Sequence, residues 1–194
     1  MSNPSKVFVL AEDKRQKQLL YRFLVAAGIG PHQMTIEVSP SGQGSAELWI
    51  RKNFARQAEK CRARNARAAT GMLVMMDADA LSVQEHWNEL DAALAAENQP
   101  AYNPTSDPIA RLIPKWSVET WILFLSSNGE SKPTISEDKP YKELVSAEQW
   151  SESIPEAART LYAWTKTSAV RPLHLLDSLQ RGLDEIPRAL AAAG

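Results

Sequence analysis

The sequence predicts an α/β protein: a mostly parallel sheet flanked by helices, with a helical extension at the C-terminal end. Three observations carry this. Short apolar runs alternate with stretches of helical periodicity in the order strand–helix–strand–helix–strand–helix. The two most strand-like runs, Lys6–Ala11 (KVFVLA) and 71–76 (GMLVMM), are nearly continuously apolar, as strands buried on both faces are. After about residue 128 the composition shifts to Ser, Lys, Pro and Glu, and only helical patterns follow.

The first strand candidate, Lys6–Ala11, is followed by a helical stripe of Leu19, Leu20, Phe23, Leu24 and Ala27, which stops at Gly28 and Gly30. Met34–Val38 is a second short strand, 40–45 (PSGQGS) a loop, and a long helix then runs to about Arg67. The 71–76 strand stops abruptly at Asp77, and helical periodicity returns over Val83–Ala96. A polar, proline-containing loop over 98–108 leads to a weaker strand at 109–113 and a helix beginning near Ser117. Residues 128–141 have no clear period and read as an exposed loop, and short helical segments follow, including 172–180 and 184–193. The expected organisation is an α/β domain over 1–128, with the loop and helical extension of 129–194 packed on the same domain.

At 194 residues the chain is long enough for a sizeable core, and its 44% apolar and 23% charged fractions are those of a globular protein. The net charge of −1 means that any contact with nucleic acid must rest on a local patch. Cys61 is the single cysteine, which excludes an internal disulfide framework and a cysteine-based zinc site. His32, His86 and His174 lie far apart, so no histidine-rich metal site is expected. No apolar run approaches the roughly 20 residues that span a bilayer. The polar start leads straight into a strand, unlike a signal peptide, and the expectation is a soluble cytoplasmic protein with no membrane partner.

Both strands that matter for chemistry end in acid. Lys6–Ala11 runs into Glu12 and Asp13, and 71–76 runs into Asp77, Ala78 and Asp79. In open α/β sheets the functional crevice lies outside the carboxyl ends of the strands. Residues two apart in an extended segment point the same way, so Asp77 and Asp79 are expected to share a face. Carboxylates gathered at neutral pH repel one another unless protons or a cation intervene, and Mg²⁺ (or Mn²⁺) resolves that conflict with one or two carboxylates and water. The alternative for Glu12–Asp13 is an N-cap, since acids between a strand and a helix commonly serve as one.

These segments together with Ile113-Pro-Lys-Trp-Ser-Val-Glu-Thr-Trp-Ile-Leu123 resemble the Toprim superfamily. More narrowly, the chain looks like the small bacterial Toprim-like proteins of the domain-of-unknown-function 4276 kind, over roughly the first two-thirds of its length. The resemblance implies a Rossmann-like sheet, with Glu12 as general acid/base or metal ligand. It also implies that Asp77 and Asp79 hold Mg²⁺ and that Glu119 is a further acidic ligand. Asp13 stands where many Toprim proteins carry Gly directly after the first-strand Glu, which argues against primase- or topoisomerase-type chemistry. The resemblance further implies an ATPase partner protein and a place in phage defence. Glu119 equally suits a plain helix acid beside Trp121, Ile122 and Leu125.

A basic stripe lies beside these acids in sequence. Arg51, Lys52, Arg56, Lys60, Arg62, Arg64 and Arg67 face a single acid, Glu59, between positions 51 and 67. Lys52, Arg56 and Lys60 recur every four residues, as one face of a helix does. Arg51, Lys52, Arg56, Lys60, Arg64 and Arg67 are thus the candidate contacts to nucleic-acid phosphates, with a solvated helix face as the alternative. The expected function is a Mg²⁺-dependent phosphodiesterase, a nuclease acting on DNA or RNA. The alternative is a non-catalytic Toprim-fold subunit that binds nucleic acid or a partner protein.

Overall fold

A computed structural model describes residues 3–42, 44–130, 134–144 and 146–191. Strands β1 (Lys6–Ala11), β2 (Met34–Val38), β3 (Thr70–Met75) and β4 (Ile109–Leu112) form an all-parallel sheet in the order β2-β1-β3-β4. Val9 pairs with Ile36 on one side and Leu73 on the other, and Met75 pairs with Leu112. The helices are α1 (Lys14–Ala26), α2 (Ala46–Asn65), α3 (Val83–Ala96), α4 (Val118–Ser126), α5 (Ala147–Trp164) and α6 (Asp177–Ala189). The α/β fold with a parallel sheet flanked by helices is thus as the sequence predicts.

Local chemistry sets where the helices start. Asp13 accepts from the Gln16 N–H at 2.8 Å, Ser45 from Leu48 at 3.3 Å, and Ser82 from Glu85 at 3.1 Å. Each satisfies a backbone donor that the first turn leaves without a helical partner.

Side chains alternate across the sheet and sort the helices into two layers. Val7, Val9, Leu73, Met75, Ala110 and Leu112 face a core built with α1, α4, α5 and α6. Leu10, Met72, Val74 and Ile109 face the opposite core, closed by α2 and α3. The nearly continuous apolar runs of β1 and β3 follow from this double burial: every residue of β3 is buried.

The C-terminal segment completes the first of these cores. Trp150, Leu161, Leu179 and Ile186 belong to the same cluster as Val9 and Leu73. Helix α6 lies so close to the sheet that a Cβ on Gly71 would fall 1.7 Å from the Ala189 carbonyl oxygen, so only glycine fits there. At the sheet edge the Arg111 N–H donates to Glu185 Oε2 at 2.6 Å, an acceptor that a further strand would otherwise supply. The Arg111 guanidinium, buried, lies 3.5 Å from the Tyr102 ring centroid and pairs with Asp91 and Glu185.

Three expectations for this segment are corrected. Residues 147–164 form one helix where no single long helix was expected, and α6 is continuous over 177–189 rather than split into 172–180 and 184–193. Residues 192 and 193 lie outside the described residues. Pro155 and Pro187 both sit inside helices, so tertiary packing overrides two strong local breakers. The 128–141 loop is not wholly exposed, because Ile135 and Tyr141 are buried in the core. Among the described residues no helix is long and apolar enough to cross a membrane.

Candidate acidic site at the carboxyl edge of the sheet

Chain direction defines the crevice. From β1 the chain crosses to β2 on one side, and from β3 it crosses to β4 on the other. The adjacent carboxyl ends of β1 and β3 therefore form the topological switch point where open α/β sheets bind ligands. Glu12 follows the first strand and Asp77 the second.

The cap question for Glu12 and Asp13 is settled between neighbours. Asp13 is the N-cap of α1, so Glu12 is left to turn across the crevice and accept the Asp77 N–H at Oε2, 2.9 Å away. Gln16 in the first turn of α1 stitches both acids together. Its Oε1 accepts from the Glu12 N–H at 2.9 Å and its Nε2 donates to Asp77 Oδ1 at 2.9 Å. The Val118 N–H at the start of α4 also donates to Asp77 Oδ1 at 2.9 Å.

Electrostatics match that crowding. Burial pushes the Asp77 carboxyl well above its ordinary range, and the charges of Glu12, Glu119 and Asp13 push it further. Glu12 is also held above its usual value, first by burial and then by Asp79 and Asp13, against the opposing hydrogen bond from Asp77. Glu119 is only 1% exposed, with one carboxylate oxygen paired to Arg15 and Oε2 buried with no hydrogen-bond partner. Among the described residues no three of Glu12, Asp77, Asp79 and Glu119 bring ligand oxygens within 4.8 Å of one another. The orphaned Glu119 oxygen and the crowded Asp77 carboxyl are the two that could meet a divalent cation, which takes one or two carboxylates and completes its shell with water.

Asp79 departs from expectation. β3 ends before Asp77, and Asp79 adopts φ 45°, so the two aspartates do not share an extended face. Asp77 is buried and Asp79 exposed. The left-handed Asp79 pairs with Trp116, itself at φ 65°, through an Asp79 N–H to Trp116 carbonyl bond of 3.0 Å. Two non-glycine residues in this region at one turn mark a strained backbone held by its surroundings. Lys115 does part of the holding, donating from Nζ to the carbonyls of Asp79 at 3.2 Å and Leu81 at 2.6 Å.

The basic stripe lies elsewhere. Helix α2 runs antiparallel to the strands, and its last turns meet the start of β3, where the Thr70 N–H donates to Asn65 Oδ1 at 3.0 Å. Arg64 and Arg67 are therefore at the opposite edge of the sheet from Glu12 and Asp77. Lys52, Arg56, Lys60, Arg64 and Arg67 are exposed, whereas Arg51 turns aside to pair with Glu47 and Glu89. Lys142 is the cation whose charge opposes the rise at Asp77, while nearer Glu12 are Lys14, Arg15 and Lys17 of α1. With Glu12 and the 39–42 turn they line a cavity of about 540 Å³.

A second group of ligating side chains was not expected. Among the described residues, Glu47, His86 and Glu89 bring their ligand atoms within 4.8 Å of one another and are placed to hold a metal ion. With a single histidine this group is not histidine-rich, so it lies outside the expectation drawn from His32, His86 and His174. His86 and Glu89 stand one turn apart on α3, a spacing visible in the sequence, while Glu47 arrives only through the packing of α2 on α3. Gln16 had a local signal too, since an acid followed three residues later by Gln is a capping pattern. Arg15 had none.

A scan against protein-family models finds no match to the chain, and searches of the curated proteins and of the solved structures find none either.

Proposed function

We propose that the chain is a divalent-metal-dependent phosphodiesterase, a nuclease of DNA or RNA, with its reaction centre at the Glu12–Asp77 crevice. One observation carries this reading. Asp77 is buried at the switch point against Glu12 and Glu119, a repulsion that a divalent cation removes. Asp77 and Glu119 would hold the cation from the buried side, with Asp79 and Glu12 reaching it from the rim. Mg²⁺ or Mn²⁺ supplies there neutralisation of phosphoryl charge and acidification of a water.

The chain's own residues divide the remaining work. Lys14, Arg15 and Lys17 draw phosphate oxygens into the cavity beside Glu12. Glu12, with its affinity for protons raised, takes the proton from the attacking water. Asp13 and Gln16 keep Glu12 and Asp77 in register. The exposed stripe from Lys52 to Arg67 extends about 20 Å along α2 and suits a longer stretch of phosphate backbone away from the cut. On the Toprim resemblance alone, the proposal extends to a nuclease of phage defence that works with an ATPase partner protein.

The Arg15–Glu119 pair favours a second reading, in which a built-in guanidinium stands where the cation would and the chain is a non-catalytic binding subunit. Incubation with labelled duplex DNA, tRNA and single-stranded RNA in Mn²⁺ separates the two. Cleavage by the wild type that is lost in Glu12→Ala and Asp77→Ala supports the nuclease. Cleavage unchanged in both variants removes the proposed centre, and binding without cleavage favours the second reading.

A further inference from the structure

We propose that Glu47, His86 and Glu89 form a binding site for a divalent transition-metal ion of the zinc type, behind the Asp77–Asp79 turn and separate from the acidic crevice. His86 is 2% exposed, and its two ring nitrogens have different neighbours. Nε2 lies 3.2 Å from the Ala78 carbonyl oxygen, and Nδ1 lies 2.9 Å from Glu89 Oε2 and 3.9 Å from Glu47 Oε1.

The hydrogen inventory of these contacts requires a cation. A carbonyl oxygen only accepts, so Nε2 carries the hydrogen, and a neutral imidazole then presents a lone pair at Nδ1. Ionised Glu89 is also only an acceptor. Two acceptors facing each other at 2.9 Å need a proton or a metal between them. Arg51 already pairs with both Glu89 and Glu47, so the case for a metal at Nδ1 rests on the spacing of the three ligand atoms, all within 4.8 Å of one another.

The spacing suits such an ion. Bonds of about 2.0–2.1 Å to nitrogen and oxygen in a tetrahedron set neighbouring ligand atoms about 3.3 Å apart. The contacts of 2.9 and 3.9 Å from Nδ1 bracket that edge. Glu47 and Glu89 are each about one-third exposed, so both have room to adjust and water has access to the remaining position.

Neighbouring groups already do what outer partners of a metal site do. The Ala78 carbonyl fixes the histidine tautomer that leaves Nδ1 free to ligate. Arg51 donates to Glu89 Oε1 at 2.7 Å and reaches Glu47 Oε1 at 3.2 Å, which orients both carboxylates from the outside. One imidazole nitrogen with two carboxylates is a zinc or cobalt donor set rather than one for Mg²⁺. Occupancy would tie the first turn of α2 to the start of α3 and, through His86, hold the carbonyl of Ala78 between Asp77 and Asp79.

The test is titration of the chelator-treated full chain with Co²⁺, read by visible absorption, and with Zn²⁺, read by calorimetry and thermal denaturation. One equivalent is expected to bind Asp77→Asn, in which the crevice site is weakened, with a rise in Tm, and at least 10-fold more weakly when Glu47→Gln or His86→Gln is added; the wild type takes up at least that equivalent. His86 is buried and its variant can lose the fold, so Glu47→Gln at its partly exposed position carries the test on its own. Absence of uptake by the wild type overturns the proposal. So does uptake that adding Glu47→Gln to Asp77→Asn leaves undiminished, or uptake lost in Asp77→Asn alone.

Discussion

The backbone N–H of Asp77 donates to Glu12 Oε2 across the crevice between β3 and β1, 2.9 Å away. A strand-end acid is thereby tied to its neighbour through main chain rather than through a shared proton, so Glu12 is held beside Asp77 while Asp77 Oδ1 accepts from Gln16 and Val118. Gln16 bonds to both residues and fixes their separation. This small lattice makes the repulsion at Asp77 a property of the fold, and several measurable consequences depend on it.

Asp77 should make stability fall with rising pH when no divalent ion is present. Its carboxyl holds a proton more tightly folded than unfolded, because of burial and of Glu12, Glu119 and Asp13. The stability it contributes is complete below the unfolded value of about 3.9 and is lost as pH rises through the folded one. Asp77→Asn keeps the Oδ1 acceptor for Gln16 and Val118 without the charge. In chelator at pH 7 the variant should have the higher Tm, and the gain should vanish toward pH 4. Thermal denaturation between pH 4 and 8 checks this, and a less stable variant at pH 7 would contradict it.

Removing Arg15 should expose the cost of Glu119. Arg15→Ala leaves an almost fully buried carboxylate without its ion pair, while Arg15 itself is 35% exposed. A loss of about 1–3 kcal/mol is expected, below that of breaking a fully buried pair. Mn²⁺ should recover part of it, whereas an equal deficit with and without Mn²⁺ in urea melts would place the cation away from Glu119.

Gly71→Ala should be severe although the change is one methyl group. The added carbon would sit 1.7 Å from the Ala189 carbonyl oxygen, and neither backbone can yield locally. Overpacking of this kind costs about 1–3 kcal/mol or more. Denaturant unfolding should show it, together with faster proteolysis in α6 than elsewhere.

Cys61 should be inert in the folded protein. Burial, with the charge of Asp107, pushes its thiol up to about 12, and the side chain is fully enclosed. A thiol-reactive disulfide reagent should label none of it in native conditions and one equivalent in guanidinium. Rapid native labelling would contradict the packing of α2 on the sheet.

The layers of the fold were legible because β1 and β3 are buried on both faces and so carry unbroken apolar runs. The helices of the first two-thirds declared themselves through stripes such as Leu19–Leu20–Phe23 and through stops such as Gly28 and Gly30. Helix α5 was hidden because Pro155 interrupts its period, and α6 because Gly182 and Pro187 do. Both are held by contacts from distant sequence, the approach of Gly182 to Trp121 among them. At the site, Glu12 and Asp77 could be named from strand ends. That Asp79 turns left-handed, that Arg15 meets Glu119 and that Glu47 meets His86 depend on pairings across 104 and 39 positions or on a loop conformation held by Trp116. No local pattern encodes these.

The most direct measurement of the central claim is Mn²⁺ binding by electron paramagnetic resonance and calorimetry in the Glu47→Gln background, where the His86 group is silenced. One ion should bind at Glu12, Asp77 and Glu119, with affinity reduced at least 10-fold by Asp77→Asn and by Glu119→Gln. Binding that is absent, or that both substitutions leave unchanged, would contradict the assignment of the crevice as a divalent-metal site.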